Sequence, residues 1–306
     1  MALSPQFNPI NGVLYCLVMA SLAVGLMCYT ASHSSSRRQA YDFPPAYGVN
    51  YLPYFAKKAG YYYLERDVAL GKYKGGFVLQ TDAGTVLDLR GHAITCTSPN
   101  TAESSGVLAH SRSNFILKNG TIARCQFGLN GVAVGPGSRN VTVRNILFRD
   151  NYFRAVMIEG QDALIERNVI NTVMGGRIFE NSFAIGIETK GPNNIIRSNT
   201  VYDVRGTGTG EGVGISVSEN GAGTVIKDNT VTSSGIDDYT DYAYWVGEST
   251  GVRLIDNKGS NYIQGFAAST PTAGCLQGNS FTNNTTNVLI NSLQWDKKKC
   301  PKTDRQ

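Results

Sequence analysis

The sequence predicts an all-β chain, a single-stranded parallel β-helix of about eight coils behind an N-terminal apolar segment. Three observations predict it. Hydrophobic residues make up 42% of the 306 positions and charged ones only 17%, a composition that can bury a large core and suits neither a disordered chain nor a coiled coil. Glycine is abundant, at 34 residues, and Asn, Thr, Val and Ile crowd the middle of the chain, which favours short strands and tight turns over helices. Above all, one frame recurs: an apolar residue, two others, a turn residue, one more, and a second apolar residue.

Residues 1–12 read as a tail. Residues 13–29 (VLYCLVMASLAVGLMCY) carry no charge, which suits a transmembrane anchor or an export signal, and Thr30-Ala31-Ser32 offers small residues for cleavage. No Lys or Arg precedes the segment, whereas Arg37 and Arg38 lie beyond it, so the positive-inside rule favours a cytoplasmic body. Two arginines are a small bias. The body of the chain suits the outside of the cytoplasm, and the expectation is a membrane-anchored chain with an extracytoplasmic body, or a secreted one if the segment is cut. Residues 30–58 read as a polar linker, 59–295 as the β-helix and 296–306 as a basic tail.

The frame recurs as Leu89 with Ile94, Leu117 with Ile122, Val143 with Phe148, Ile165 with Ile170, Ile196 with Val201, Ile226 with Val231, Leu254 with Gly259, and Leu276 with Phe281. The steps between first members are 28, 26, 22, 31, 30, 28 and 22 residues. Asn168, Asn199, Asn229, Asn257 and Asn279 hold the turn in the later copies, and Asn119 and Asn145 sit one residue earlier in theirs. Asparagine tolerates a left-handed backbone, and stacked amides can bond along a ladder. Runs such as Gly212-Val213-Gly214-Ile215-Ser216-Val217 alternate with period two, as strands do. A coil of this size cannot bury its inner face alone, but stacked coils at ~4.8 Å bury a continuous core. Tyr61-Tyr62-Tyr63-Leu64 and Gly76-Phe77-Val78-Leu79 read as an entry strand and cap, and residues 289–295 as an exit cap.

Of six cysteines, Cys16 and Cys28 lie in the apolar segment and Cys96, Cys125, Cys275 and Cys300 beyond it. In an exported domain the natural pairs are Cys96 with Cys125 and Cys275 with Cys300, the alternative being buried free thiols. No Cys or His spacing points to zinc. The net charge of +5 is mild and forms no stripe, which argues against nucleic acid and leaves an acidic polymer or anionic surface as partner.

The stretch LDLRGHAI (87–94), together with NNIIRSNTV (193–201) and GTVIKDNTV (223–231), resembles the pectate-lyase-like superfamily of right-handed β-helices, with its carbohydrate-binding and sugar-hydrolase repeats. The resemblance spans residues 60–285 and implies fold more strongly than activity. IETKGPNNIIRSNTVYDVR (187–205) resembles the region of chondroitinase-type and pectate-type lyases that carries a catalytic lysine and a later arginine. That match implies Lys190 as base and Arg205 as its electrostatic partner. The next coil, 212–217, lacks the arginine such lyases place there. The polygalacturonase set is incomplete around Asp237-Asp238, and the Asp-Pro-His of mannuronan epimerases is absent.

Aligning strands on the inward residues Ala109, Val134, Ile158, Ile187, Val217 and Val246 predicts an outward column of His110, Gly135, Glu159, Glu188, Ser218 and Gly247. Glu159 and Glu188 would then lie one strand spacing apart, sharing a proton or binding calcium. Lys190, Arg154 and Arg177 would surround them, with Arg205 and Asp241 further along and Trp245 available to stack on a sugar. Such a patch suits binding an acidic polysaccharide, and lyase or epimerase chemistry beside its carboxylate. The competing expectations are that Lys190 and Arg154 simply bridge the glutamates, and that the rod is a non-catalytic accessory subunit of a membrane complex.

Overall fold

The computed structural model describes residues 45–98, 104–132, 137–176, 180–235, 241–269, 272–290, 295–296 and 300–301, all within one compact unit, Pro44–Gln306. Residues 13–29, Val134, Gly135, Arg177, Asp237 and Asp238 lie outside them. No helix among the described residues is long and apolar enough to cross a membrane. Strands form an 18-stranded and an 11-stranded sheet, and each strand pairs in parallel with its counterpart one coil away.

Large aliphatics recur on every coil because the coil has no other way to cover its inner face. Leu117, Val143, Ile165, Ile196, Ile226, Leu254 and Leu276 succeed one another in register, and the first six are fully buried. Each such side chain is worth about 1.5–3 kcal/mol of burial. The first copy departs from expectation: Leu87, not Leu89, pairs with Leu117. The turn at Arg90 (φ 51°) and Gly91 (φ 85°) adds two residues before Ile94 rejoins Ile122.

The two asparagine sets do different work. Asn168, Asn199, Asn229, Asn257 and Asn279 form a ladder in which each Nδ2 donates to the next Oδ1 at 3.0 Å. Their backbone is not left-handed. That role falls to the residue before each of them, Arg167, Ser198, Asp228, Asp256 and Gly278, and in the earlier coils to Asn119 and Asn145 (φ 60° and 54°).

The stack also begins earlier than expected, inside the presumed linker. Ala46–Val49 pairs with Gly60–Leu64 and Tyr54–Ala56 with Gly75–Leu79. Val49 and Ala56 are fully buried, and Tyr47 stacks on Tyr62 and Tyr54 on Phe77 at 4.8 and 5.8 Å, so aromatic rings close this end. Cys96 is bonded to Cys125 and Cys275 to Cys300.

Candidate functional site

The 11-stranded sheet carries Arg154–Gln161, Ala184–Lys190, Gly212–Ser218 and Tyr242–Val246 on successive coils. Val156, Ile187, Ile215 and Tyr244 align inward, as do Ile158, Thr189, Val217 and Val246. This register corrects the expected column. Glu159 pairs with Lys190 and Glu188 with Met157, so the two glutamates are not neighbours. Alignment on the shared Ile-Glu dipeptides, 158–159 and 187–188, slips the strand by two residues. Such a slip keeps every side chain on its proper face and leaves no trace in the alternation. One coil earlier Gly131, rather than Val134, faces Ile158. The outward column is therefore His110, Val132, Glu159, Lys190, Ser218 and Gly247.

Each glutamate is answered by a cation. Arg154 Nε donates to Glu188 Oε2, with side chains only 15% and 7% exposed, and the guanidinium lies 4.0 Å over the Phe153 ring. Lys190 Nζ donates to Glu219 Oε1 at 2.8 Å and stands 3.3 Å from Glu159 Oε1. Burial alone would lower the Lys190 ammonium. The Glu219 hydrogen bond and the charges of Glu188, Glu159 and Glu219 outweigh it and hold the pKa above its ordinary 10.5. Lys190 is thus kept charged within this cluster. Each of the two carboxylates carries a cation, and no group of three or more His, Cys, Asp or Glu that could hold a metal occurs among the described residues.

Lys190, Glu159 and Glu219 face a cleft of about 380 Å³ lined also by Gly137, Ser138, Arg139, Gln161 and Asn220. A second cleft, of about 660 Å³, is lined by Asp82, His110, Arg112, Gly137 and Arg139, so Gly137 and Arg139 border both. Arg112 pairs with Asp82 at 3.3 Å. The Arg139 guanidinium is exposed and has no carboxylate within ion-pair distance among the described residues. His110 Nε2 is buried without a hydrogen-bond partner among the described residues.

Arg205 is not part of this cluster. It ends Thr200–Arg205 in the other sheet, bound to Asp203 at 2.7 Å and to Ser234. Its neighbour Gly212 lies six residues before Ser218, roughly 20 Å along an extended strand. Trp245 is in register with Ser216 and, through it, with Glu188, so it stands one coil beyond Ser216 and two coils beyond Glu188. Sequence reasoning missed Arg139 and Glu219. Glu219 was findable as the corner residue directly after Ser218, whereas no pattern in the sequence marks the pairing of Arg139 with Gln161.

The chain is similar to several solved structures. A double mutant of the periplasmic alginate epimerase AlgG is 12% identical, over 80% of this chain and 75% of that chain, with a TM-score of 0.45. A second AlgG mutant has the same identity and coverage and a TM-score of 0.46. The A-module of the Azotobacter vinelandii mannuronan C-5 epimerase AlgE4 is 11% identical, over 79% of this chain and 89% of that chain, with a TM-score of 0.30. No curated protein matches. The family description "right handed beta helix region" matches residues 74–292, nearly all of the coil stack, and the chain belongs to that family.

Proposed function

We propose that the chain binds an acidic polysaccharide in the groove of Arg139, Glu159, Lys190 and Glu219, as an exported protein tethered by residues 13–29. The observation that carries the reading is Arg139, an exposed guanidinium without an acidic partner among the described residues, at the junction of the two clefts. A guanidinium fork matches the two oxygens of a uronate carboxylate. Lys190 adds a second positive charge, and Glu159 and Glu219 can accept hydrogen bonds from sugar hydroxyls. The two disulfides support an oxidising compartment. A lysine held protonated is a poor proton acceptor near neutral pH, so the geometry favours binding over lyase or epimerase chemistry with Lys190 as base.

The test is calorimetric titration of the full-length protein with oligouronates and matched neutral oligosaccharides. Arg139→Ala is expected to weaken oligouronate binding about tenfold or more, and absorbance from unsaturated ends stays flat. Equal affinity of wild type and Arg139→Ala for oligouronates sinks the reading.

One observation favours a second reading, an accessory subunit of a membrane assembly. Val86, Ile116, Thr142, Leu164, Ile195 and Val225 form a registered row on the other sheet, half-buried and alternating with the fully buried row. Co-purification of membrane proteins with the full chain, abolished by Ile195→Asp, would decide for it.

A further inference from the structure

We infer that Trp245 forms an apolar shelf at the far end of the groove, on which one sugar ring packs while Arg139 holds a carboxylate elsewhere on the same oligomer. The inference rests on the polysaccharide reading above and adds what the polymer must be: a uronate chain long enough to span both groups.

The register places the shelf. Lys190, Ser218 and Gly247 occupy one column on three successive coils. Beyond the long Lys190 side chain the column drops to Ser218, 6% exposed, and then to Gly247, which has no side chain. The missing side chain is what the indole uses, because a Cβ on Gly247 would collide with the six-membered ring of Trp245. The ring thus projects along its own strand from the Glu188 row into the groove column, and it remains partly exposed. A tryptophan offers a large rigid apolar face with little entropy to lose, suited to the C–H face of a pyranose.

The rim of the groove continues past this point. Gly191 N donates to Glu219 O at 3.0 Å, and Asn220 N donates to Glu248 O at 3.2 Å, so the corner that carries Glu219 repeats one coil later with the exposed Glu248. Glu219 and Glu248 share a left-handed backbone, φ 45° and 47°. Arg139 pairs with Gln161 on the Glu159 coil, which leaves four coil spacings, roughly 19 Å, between the Arg139 coil and Gly247. A single uronate cannot reach both ends.

The chain's other tryptophan, Trp295, is 8% exposed and donates its Nε1 to Thr272 at 3.1 Å, so solvent quenching of indole emission reports chiefly on Trp245. In the full-length protein, oligouronates that span the groove are expected to shield the emission from acrylamide, and a monouronate to leave it open. Trp245→Leu should weaken oligouronate binding about tenfold, leave monouronate binding unchanged, and be partly rescued by Trp245→Phe. An unchanged thermal midpoint separates lost binding from lost folding. The proposal is overturned if oligouronates saturate the wild type without shielding, or bind Trp245→Leu as tightly. If no uronate binds, the Arg139 reading falls. Shielding by a neutral oligosaccharide would then keep the shelf, and shielding by neither would remove it.

Discussion

The asparagine ladder and the groove column are both rows of side chains running along the coil axis, yet they are built on opposite rules. From Asn168 to Asn279 the ladder repeats one residue, because an amide donates through Nδ2 and accepts through Oδ1, so each copy satisfies the next. The groove column repeats nothing: His110, Val132, Glu159, Lys190, Ser218, Gly247. A carboxylate cannot satisfy a copy of itself, and like charges one strand apart repel, so Glu159 is succeeded by Lys190 and Glu188 is met by Arg154. A self-complementary group can be repeated without limit, whereas a charged group must be answered by an unlike one. Chemistry in this molecule therefore collects where the repetition stops.

The largest effect should come from breaking an answered charge. Glu188→Leu strands the mostly buried Arg154 guanidinium and is expected to cost about 3–5 kcal/mol in denaturant unfolding. Adding Arg154→Met should recover most of it, and a double variant as unstable as the single would contradict the pairing. Breaking the neutral ladder should cost less. Asn229 accepts from Asn199 N and Nδ2 and donates to Ile196 O and Asn257 Oδ1, at 2.9–3.0 Å, so Asn229→Ala leaves buried groups unpaired, for about 2–3 kcal/mol.

The charged rows should also make stability depend on pH at both ends. Burial opposes ionisation of Asp88, but hydrogen bonds from Tyr61, Arg90, Asn119 and Lys118 outweigh it and hold its pKa below the ordinary 3.8. Its contribution is therefore present above that value and lost as pH falls through the depressed folded pKa. Asp88→Asn should flatten the acid limb of the thermal midpoint against pH. The raised Lys190 has the opposite sign: its contribution is complete below 10.5 and lost as pH rises through the folded pKa, so Lys190→Met should flatten the alkaline limb. The smallest effect is expected at the turn itself. Ser198 sits at φ 54°, and Ser198→Gly should stabilise by about 1 kcal/mol, measured as a small rise in the thermal midpoint.

The same contrast explains how much was legible in the sequence. The interior row from Leu117 to Leu276 was readable because every coil must supply a large aliphatic at that place, and the ladder because the amide recurs at a fixed offset from it. Leu89 was mistaken for Leu87 because a left-handed turn absorbed two residues where a shorter one was expected. Glu188 was set beside Glu159 because Ile-Glu matches Ile-Glu by eye, whereas the strand puts Thr189, a polar residue with a fully buried side chain, where an aliphatic would have been the guide.

By itself the sequence determined the stack: its period, its inner aliphatic row, its amide ladder and the nearness of its cysteine pairs. Each of these is enforced coil by coil through burial and self-pairing. Only the tertiary structure decided which cation meets which carboxylate, that Arg139 is left without one among the described residues, and that Trp245 lies across Gly247. Those contacts depend on register between neighbouring coils, which corner lengths set, and an alternating pattern is blind to a shift of two.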